Sequence, residues 1–301
     1  MHSVSNVETT GAAVRERSRL ASLVVLFKLR VVVLLLFAAV GGAMLGSYGA
    51  PTRGDMLLLL FTGTLSAAGA SALNQYIERY KDAAMKRTRR RPLVTGELNA
   101  CAVLLVASGM VIGASGLALV AGNTMLAVFL ALGAFIYVGI YTIWLKPRSV
   151  LNVVIGGAAG SAAVLAGGAA VGHWSDPGVI VLALLLFAWS PTHFWSLALA
   201  YRPDYARAQV PMLPVVLSTR QALFWMLLHA AGTAFFGLLL ALHGALGLIY
   251  LVPVGLATLW LGRESVRLIR DYTGPRAMNV FKVSNLYLSI VLLAICVATL
   301  I

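Results

Sequence analysis

Acidic side chains are what this chain has least of: ten Asp and Glu among 301 residues, against 23 Lys and Arg, for a formal net charge of +13. Charge of either sign is sparse, 11% of residues where a soluble domain carries about 25%. That excludes an ordinary water-soluble domain. Cysteine is almost missing, and Cys101 and Cys296 stand far apart in apolar stretches. Their placement excludes a disulfide framework or a thiolate metal site, and both are expected to be packing residues. The first 20 residues lack an apolar core ahead of a small-residue cleavage site, so no cleavable secretory signal is expected there. Glu8 and Glu16, in so short a segment, also argue against a mitochondrial transit peptide.

What the chain does contain is apolar surface: 60% hydrophobic residues and a mean hydropathy of +0.90. Stretches of about 20 residues, the length that crosses a hydrocarbon core of about 30 Å, recur along it with short polar breaks. The sequence predicts an all-α integral membrane protein. It would be a bundle of about nine transmembrane helices, over residues 22–48, 56–74, 100–121, 123–145, 150–172, 178–200, 221–243, 245–262 and 281–301. A central cavity open towards the cytoplasmic side is expected, with a disordered cytoplasmic tail at 1–20 and one transmembrane domain at 21–301. Placing the amino terminus inside puts every Lys and Arg except Arg53 on the cytoplasmic side. That bias sets topology by itself and accounts for the basicity without any nucleic acid. A multi-pass protein of a prokaryotic plasma (inner) membrane is expected. The small residues of "GGAMLGSYGA" and "VVIGGAAGSAAVLAGGAAVG" suit close helix packing in lipid, and no chemistry is assigned to them.

Against this background the segment "NQYIERYKDAAMKRTRRRPL", residues 74–93, stands out. Asn74, Glu78 and Asp82 recur at four-residue spacing. At 100° per residue each step drifts only about 40°, so the three share one helix face over about 12 Å. Carboxylates near a membrane core are expensive, so this stripe should face a cavity in the bundle rather than lipid. Its oxygen donors suit Mg²⁺, which is held by one or two carboxylates together with waters and phosphate oxygens. Lys86, Arg87, Arg89, Arg90 and Arg91 follow, in a loop ended by Pro92. Alone, such a run is a topogenic charge cluster. Beside the stripe it reads as charge for a bound diphosphate, because arginine forks match phosphate oxygens.

Asp204 follows the sixth predicted span at the membrane level of Asp82, and two acidic sites at one depth would clamp a diphosphate through two metal ions. Glu264 and Asp271 also lie inside, among arginines, where surface pairing accounts for them. His193 lies within the sixth span beside Trp189, Phe194 and Trp195. A lone intramembrane histidine is more often a hydrogen-bonded core residue than a ligand, so the residues alone leave its role open. His229 and His243 have no polar company and are expected to be structural.

These segments resemble the protohaem IX farnesyltransferase (haem O synthase) family, within the UbiA-type intramembrane prenyltransferases. "NQYIERYKDAAMKRTRRRPL" is similar to its first signature, and "WSPTHFWSLAL" followed by "DYARAQVPMLPVV" to its second. "YTIWLK", "NVVIGGAAG" and "FKVSNLYL" match further segments, so the similarity runs from about residue 22 to the end. The chain departs from the pattern at Lys28-Leu29-Arg30, where Lys-Pro-Arg is usual, at Thr192, where proline precedes the histidine, and from Ser161, where "SAAVLAGG" replaces a proline pair and Gly-Trp.

The resemblance implies one transmembrane prenyltransferase domain that moves a farnesyl group from farnesyl diphosphate to a vinyl group of haem b, with water added. Asn74, Glu78, Asp82 and Asp204 would hold Mg²⁺ and the diphosphate, and His193 would meet the haem. Lys28, Arg30, Arg87, Arg91, Lys146 and Arg202 are expected to surround the diphosphate, with Tyr141 nearby. The partners implied are the two substrates, the lipid bilayer, and a haem A synthase or oxidase assembly protein. Two alternatives stand beside this reading: a UbiA-type enzyme acting on another aromatic or tetrapyrrole acceptor, and a haem-handling membrane protein or transporter that makes no bond. The transporter would carry internal repeats with broken helices, and the sequence has no convincing repeat.

Overall fold

The computed structural model describes residues 18–301, so the tail expected at 1–20 falls largely outside the described residues. Arg19 and Leu20 already belong to the first helix. Among the described residues there are helices and turns and no strands. The order is α1 (Arg19–Leu26), α2 (Leu29–Gly46), α3 (Arg53–Ala84), α4 (Pro92–Thr95), α5 (Ala100–Val120) and α6 (Thr124–Ala134), which runs on as a π-helix over Phe135–Leu145. Then come α7 (Asn152–Gly156), α8 (Ala158–Ala170), α9 (Pro177–Ala200), α10 (Arg202–Arg207), α11 (Leu213–Val216), α12 (Thr219–Leu239), α13 (Gly247–Arg270) and α14 (Gly274–Leu300).

Among the described residues, eight helical stretches are long and apolar enough to cross a membrane. The stretch expected at 245–262 is α13, whose last turns carry Arg263, Glu264, Arg267 and Arg270 and so dilute its apolar character. Helix α3 holds 32 residues and is therefore about 48 Å long. It outruns the hydrocarbon core, and its last turns carry Glu78 and Asp82. The stretch expected as one span at 22–48 is two helices. They break at Phe27–Lys28, where Lys28 takes a left-handed backbone, φ 49° and ψ 48°.

Polar caps mark where helices start. The Thr52 hydroxyl accepts from the Asp55 amide at 3.1 Å, Asp176 accepts from the Gly178 amide at 2.7 Å, and Ser218 with Gln221 forms a capping box on α12. Packing between spans relies on small residues. A Cβ on Gly42 would stand 2.2 Å from the Val164 carbonyl oxygen, and one on Gly167 1.8 Å from that of Ala39. Helices α2 and α8 therefore touch backbone to backbone, as small residues permit in lipid. The main core joins α2, α8, α9, α13 and α14 around Trp189, Tyr250 and Tyr287, and the polar tips of these rings are satisfied. Trp189 donates to the Ser284 carbonyl at 2.7 Å, Tyr250 to that of Gly237 at 2.8 Å and Tyr287 to that of Thr233 at 3.3 Å.

The departures from the family pattern are absorbed locally. Leu29 opens α2 at the first helical position, the place where proline is favoured, and the break forms without proline. The Thr192 hydroxyl donates to the Met226 carbonyl at 3.2 Å and that of Ser161 to the Ala183 carbonyl at 2.7 Å, so each ties its helix to a neighbour.

Candidate active site

The stripe on α3 is buried over its length, with Asn74, Glu78 and Asp82 all shielded. Each of the three meets a cation from a different element. Lys28, at the α1–α2 break, donates from Nζ to Asn74 Oδ1 at 2.6 Å and to the Tyr137 hydroxyl at 2.9 Å. Lys146, just past the π-helix, forms an ion pair with Glu78. Arg91, at the start of α4, forms one with Asp82. The loop between α3 and α4 is fixed from within, because the Thr88 hydroxyl donates to the Asp82 carbonyl at 3.0 Å. Burial, and next the Arg91 guanidinium, push the Lys28 ammonium down to about 7 against the opposing pull of Glu78.

The π-helix determines which side chains reach this cluster. In an α-helix nine residues turn through a net of about 180°, which would put Tyr137 and Lys146 on opposite faces. With i→i+5 bonding each residue turns less, and the two return to one side. The bonds bear this out: the Lys146 amide donates to the Tyr141 carbonyl at 2.8 Å, and the Thr142 hydroxyl to the Tyr137 carbonyl at 2.7 Å. Thr142 Oγ1 then accepts from Asn74 Nδ2 at 3.0 Å. The rings of Tyr137 and Tyr141 stack at 5.9 Å, with Lys28 Nζ 5.7 Å from the first centroid and Lys146 Nζ 5.5 Å from the second.

Gly156, at the end of α7, gives Tyr141 its room. A Cβ there would stand 2.7 Å from Tyr141 Cδ2 and 3.1 Å from Cγ, too close for the ring to stay. Gly156→Ala should lower stability by about 1–3 kcal/mol through overpacking, which thermal melting checks.

Of the other expected residues, Arg87 is exposed in the α3–α4 loop, close enough to Tyr141 to act on it electrostatically. Arg30 is exposed on the first turn of α2, with no side-chain hydrogen bond or ion pair to the described residues. Arg202 is committed elsewhere, donating to Thr219 Oγ1 at 3.0 Å and the Leu217 carbonyl at 3.3 Å. Asp204 is buried on α10 and pairs with Arg207 at 3.1 Å. Its neighbour Tyr205 lies near Lys146. A cleft of about 440 Å³ between the end of α3 and α10 is lined by Tyr80, Lys81, Pro147, Arg207 and Gln209.

His193 is buried on α9. Its ring lies between those of Trp189 and Phe281, each 4.4 Å away, and Nδ1 is 3.0 Å from Ser284 Oγ. Both ring faces are covered, and the Phe194 ring stands edge-on at 5.1 Å. Glu264, mostly shielded, pairs with Arg267 at 2.9 Å and accepts from Asn279 Nδ2 at 2.9 Å, while the exposed Asp271 pairs with Arg276 at 2.5 Å.

Among the described residues no three His, Cys, Asp or Glu side chains gather as a metal cage. The stripe offers two carboxylates and an amide oxygen. That set fits a hard divalent ion whose remaining ligands are waters and phosphate oxygens. Sequence reasoning missed Tyr137 and Thr142. Their five-residue spacing matches no α-helical face, and only a π-helical register would have selected them.

The sequence profile of the UbiA prenyltransferase family matches residues 34–286. The chain is similar to a protoheme IX farnesyltransferase of Metallosphaera sedula, 40% identical over 281 residues, which cover 92% of this chain and 95% of that protein. Its fold is similar to a solved structure of digeranylgeranylglyceryl phosphate synthase, with a TM-score of 0.78, 17% identity, and coverage of 93% of this chain and 98% of the other. It is also similar to a UbiA homologue of Archaeoglobus fulgidus bound to GPP and Mg²⁺, with a TM-score of 0.61, 15% identity, and coverage of 91% and 99%.

Proposed function

The chain belongs to the UbiA prenyltransferase family, and on that premise we propose that it transfers a farnesyl group from farnesyl diphosphate to a vinyl group of haem b, giving haem O. The observation that carries this reading is the convergence of Lys28, Arg91 and Lys146 on Asn74, Glu78 and Asp82. Three half-buried basic side chains facing hard oxygen donors form a site for a diphosphate and its counter-ion. The name of the relative at 40% identity supports haem b as acceptor and farnesyl as the group transferred.

Asn74, Glu78 and Asp82 would hold Mg²⁺, with Asp204 on α10 as the second acidic position. Bound there, the ion supplies positive charge against the leaving diphosphate. Lys28, Arg91 and Lys146 take up the negative charge that builds on the diphosphate as its bond to the first prenyl carbon breaks. The stacked faces of Tyr137 and Tyr141 stabilise the allylic cation left behind. The vinyl group attacks that carbon, a C–C bond forms, and the positive charge moves to the porphyrin side. Water adds there and a proton leaves. Nε2 of His193 faces the haem, at its iron or a propionate. The bundle keeps bulk water from the allylic cation until the new bond exists.

The basic end of the bundle faces the cytoplasm, the membrane is a prokaryotic plasma membrane, and the product passes to a haem A synthase or an assembling haem–copper oxidase. Purified protein incubated with haem b, farnesyl diphosphate and Mg²⁺ should yield a haem heavier by a farnesyl group and a hydroxyl, seen by mass spectrometry. The gain should vanish with EDTA and return with excess Mg²⁺. Bound but unmodified haem, with every prenyl donor tried, would leave a haem-handling protein instead.

A further inference from the structure

Gln75 is adjacent to the metal-binding stripe but does not point into the site. It is 1% exposed, and its amide nitrogen donates to two carbonyls of another helix, Val25 at 2.7 Å and Leu26 at 2.8 Å. These are among the last carbonyls of α1, beyond the reach of its regular i→i−4 ladder; that of Val25 also accepts from the Lys28 amide at 3.3 Å. Both protons of one side-chain amide are spent on them. Oε1 of Gln75 is buried without a hydrogen-bond partner among the described residues, so this side chain is placed for what its nitrogen does.

The residue that follows the capped turn is Lys28, whose left-handed backbone only glycine adopts readily. Nothing in "LFKLR" calls for a helix break. The break is held from outside, and it aims the Lys28 ammonium at Asn74 Oδ1. Neighbouring residues of α3 thus hold the two sides of one break: Gln75 grips the backbone before it, and Asn74 receives the side chain after it. Leu26 packs with Ala72, Leu93, Val103 and Ala107, and Ser22 Oγ donates to Glu97 Oε2 at 2.6 Å. Helix α1 is therefore anchored without Gln75, which leaves the angle of the break as the task of this side chain.

We propose that Gln75 is a positioning residue that acts through Lys28, fixing the α1–α2 break so that the Lys28 ammonium meets the diphosphate of the prenyl donor. This rests on the reading of the site as a prenyl diphosphate site.

The test is a double-mutant cycle read by calorimetric binding of farnesyl S-thiolodiphosphate with Mg²⁺ to the full chain in detergent. Gln75→Leu should weaken binding about tenfold, the loss expected when two hydrogen bonds stop holding a charged partner in place. Lys28→Met should weaken it at least as much, and Gln75→Leu combined with Lys28→Met no further than Lys28→Met alone. Losses that multiply, or unchanged binding by Gln75→Leu, overturn the assignment. If Gln75→Leu does not fold, Gln75→Met, which keeps the length of the side chain, replaces it in the cycle. Failure of both to fold assigns Gln75 to the fold alone and overturns the proposal. A wild-type protein that does not bind the analogue overturns the reading of the site and this inference with it; binding with independent losses overturns only the role of Gln75.

Discussion

Asp82→Ala should abolish transfer, lowering kcat/KM by about 10³-fold or more, while the protein still inserts and folds. The expectation separates two tasks of one carboxylate. In the fold, Asp82 pairs with Arg91 near the basic end of the bundle, and the loop between them keeps a second tie through Thr88 and the Asp82 carbonyl, which alanine preserves. In the site, Asp82 is one of only two carboxylates on the stripe, and without it a divalent ion keeps Glu78 and the amide oxygen of Asn74. The variant should therefore elute as a monodisperse folded species, melting below wild type because the largely buried Arg91 loses its partner. Its transfer, followed by mass spectrometry of extracted haem, should fall to background and should not recover in high Mg²⁺. Retention of most activity would remove Asp82 from the metal site and leave the pair with Arg91 as a structural contact.

How far the sequence reaches is clearest at this stripe. Four-residue spacing placed Asn74, Glu78 and Asp82 on one face, and the structure puts them there because α3 is a regular α-helix throughout. Lys28, Arg91 and Lys146 stood among six basic candidates, but what brings these three onto the stripe was not legible. Lys146 reaches Glu78 only because Phe135–Leu145 is π-helical, and no propensity scale distinguishes π from α register in an apolar run. Lys28 reaches Asn74 only because the helix breaks at a residue with no intrinsic tendency to break it; a tertiary contact from Gln75 holds what local sequence would continue. Hydropathy sees neither event, since each rotates side chains without changing what is apolar. Arg30 and Arg202 show the opposite limit. Both carry the charge that a diphosphate site needs at plausible positions, yet one is exposed on α2 and the other is bound to Thr219 and Leu217. Charge and span position select candidates, and the direction of a side chain decides among them.

Glu78 and Lys146 allow stability and chemistry to be pulled apart. Their side chains are 8% and 19% exposed, so Lys146→Met leaves Glu78 as a buried charge without its partner. Breaking such a pair from one side costs about 3–5 kcal/mol, and the single variant should melt far below wild type as well as lose transfer. Glu78→Gln alone should do the same from the other side by isolating Lys146. Combined, the two substitutions leave a neutral amide beside a thioether, with no buried charge, and stability should return to within about 1 kcal/mol of wild type because the two sites are in direct contact and their effects do not add. Transfer should stay about 10³-fold down, since the double variant lacks both a metal-binding carboxylate and a diphosphate-facing ammonium. A purely structural ion pair predicts the opposite coupling, in which activity recovers along with the melting temperature. Measuring both quantities on the same four proteins distinguishes a pair kept for folding from one that marks, before substrate arrives, where the charges of the metal ion and the diphosphate will sit.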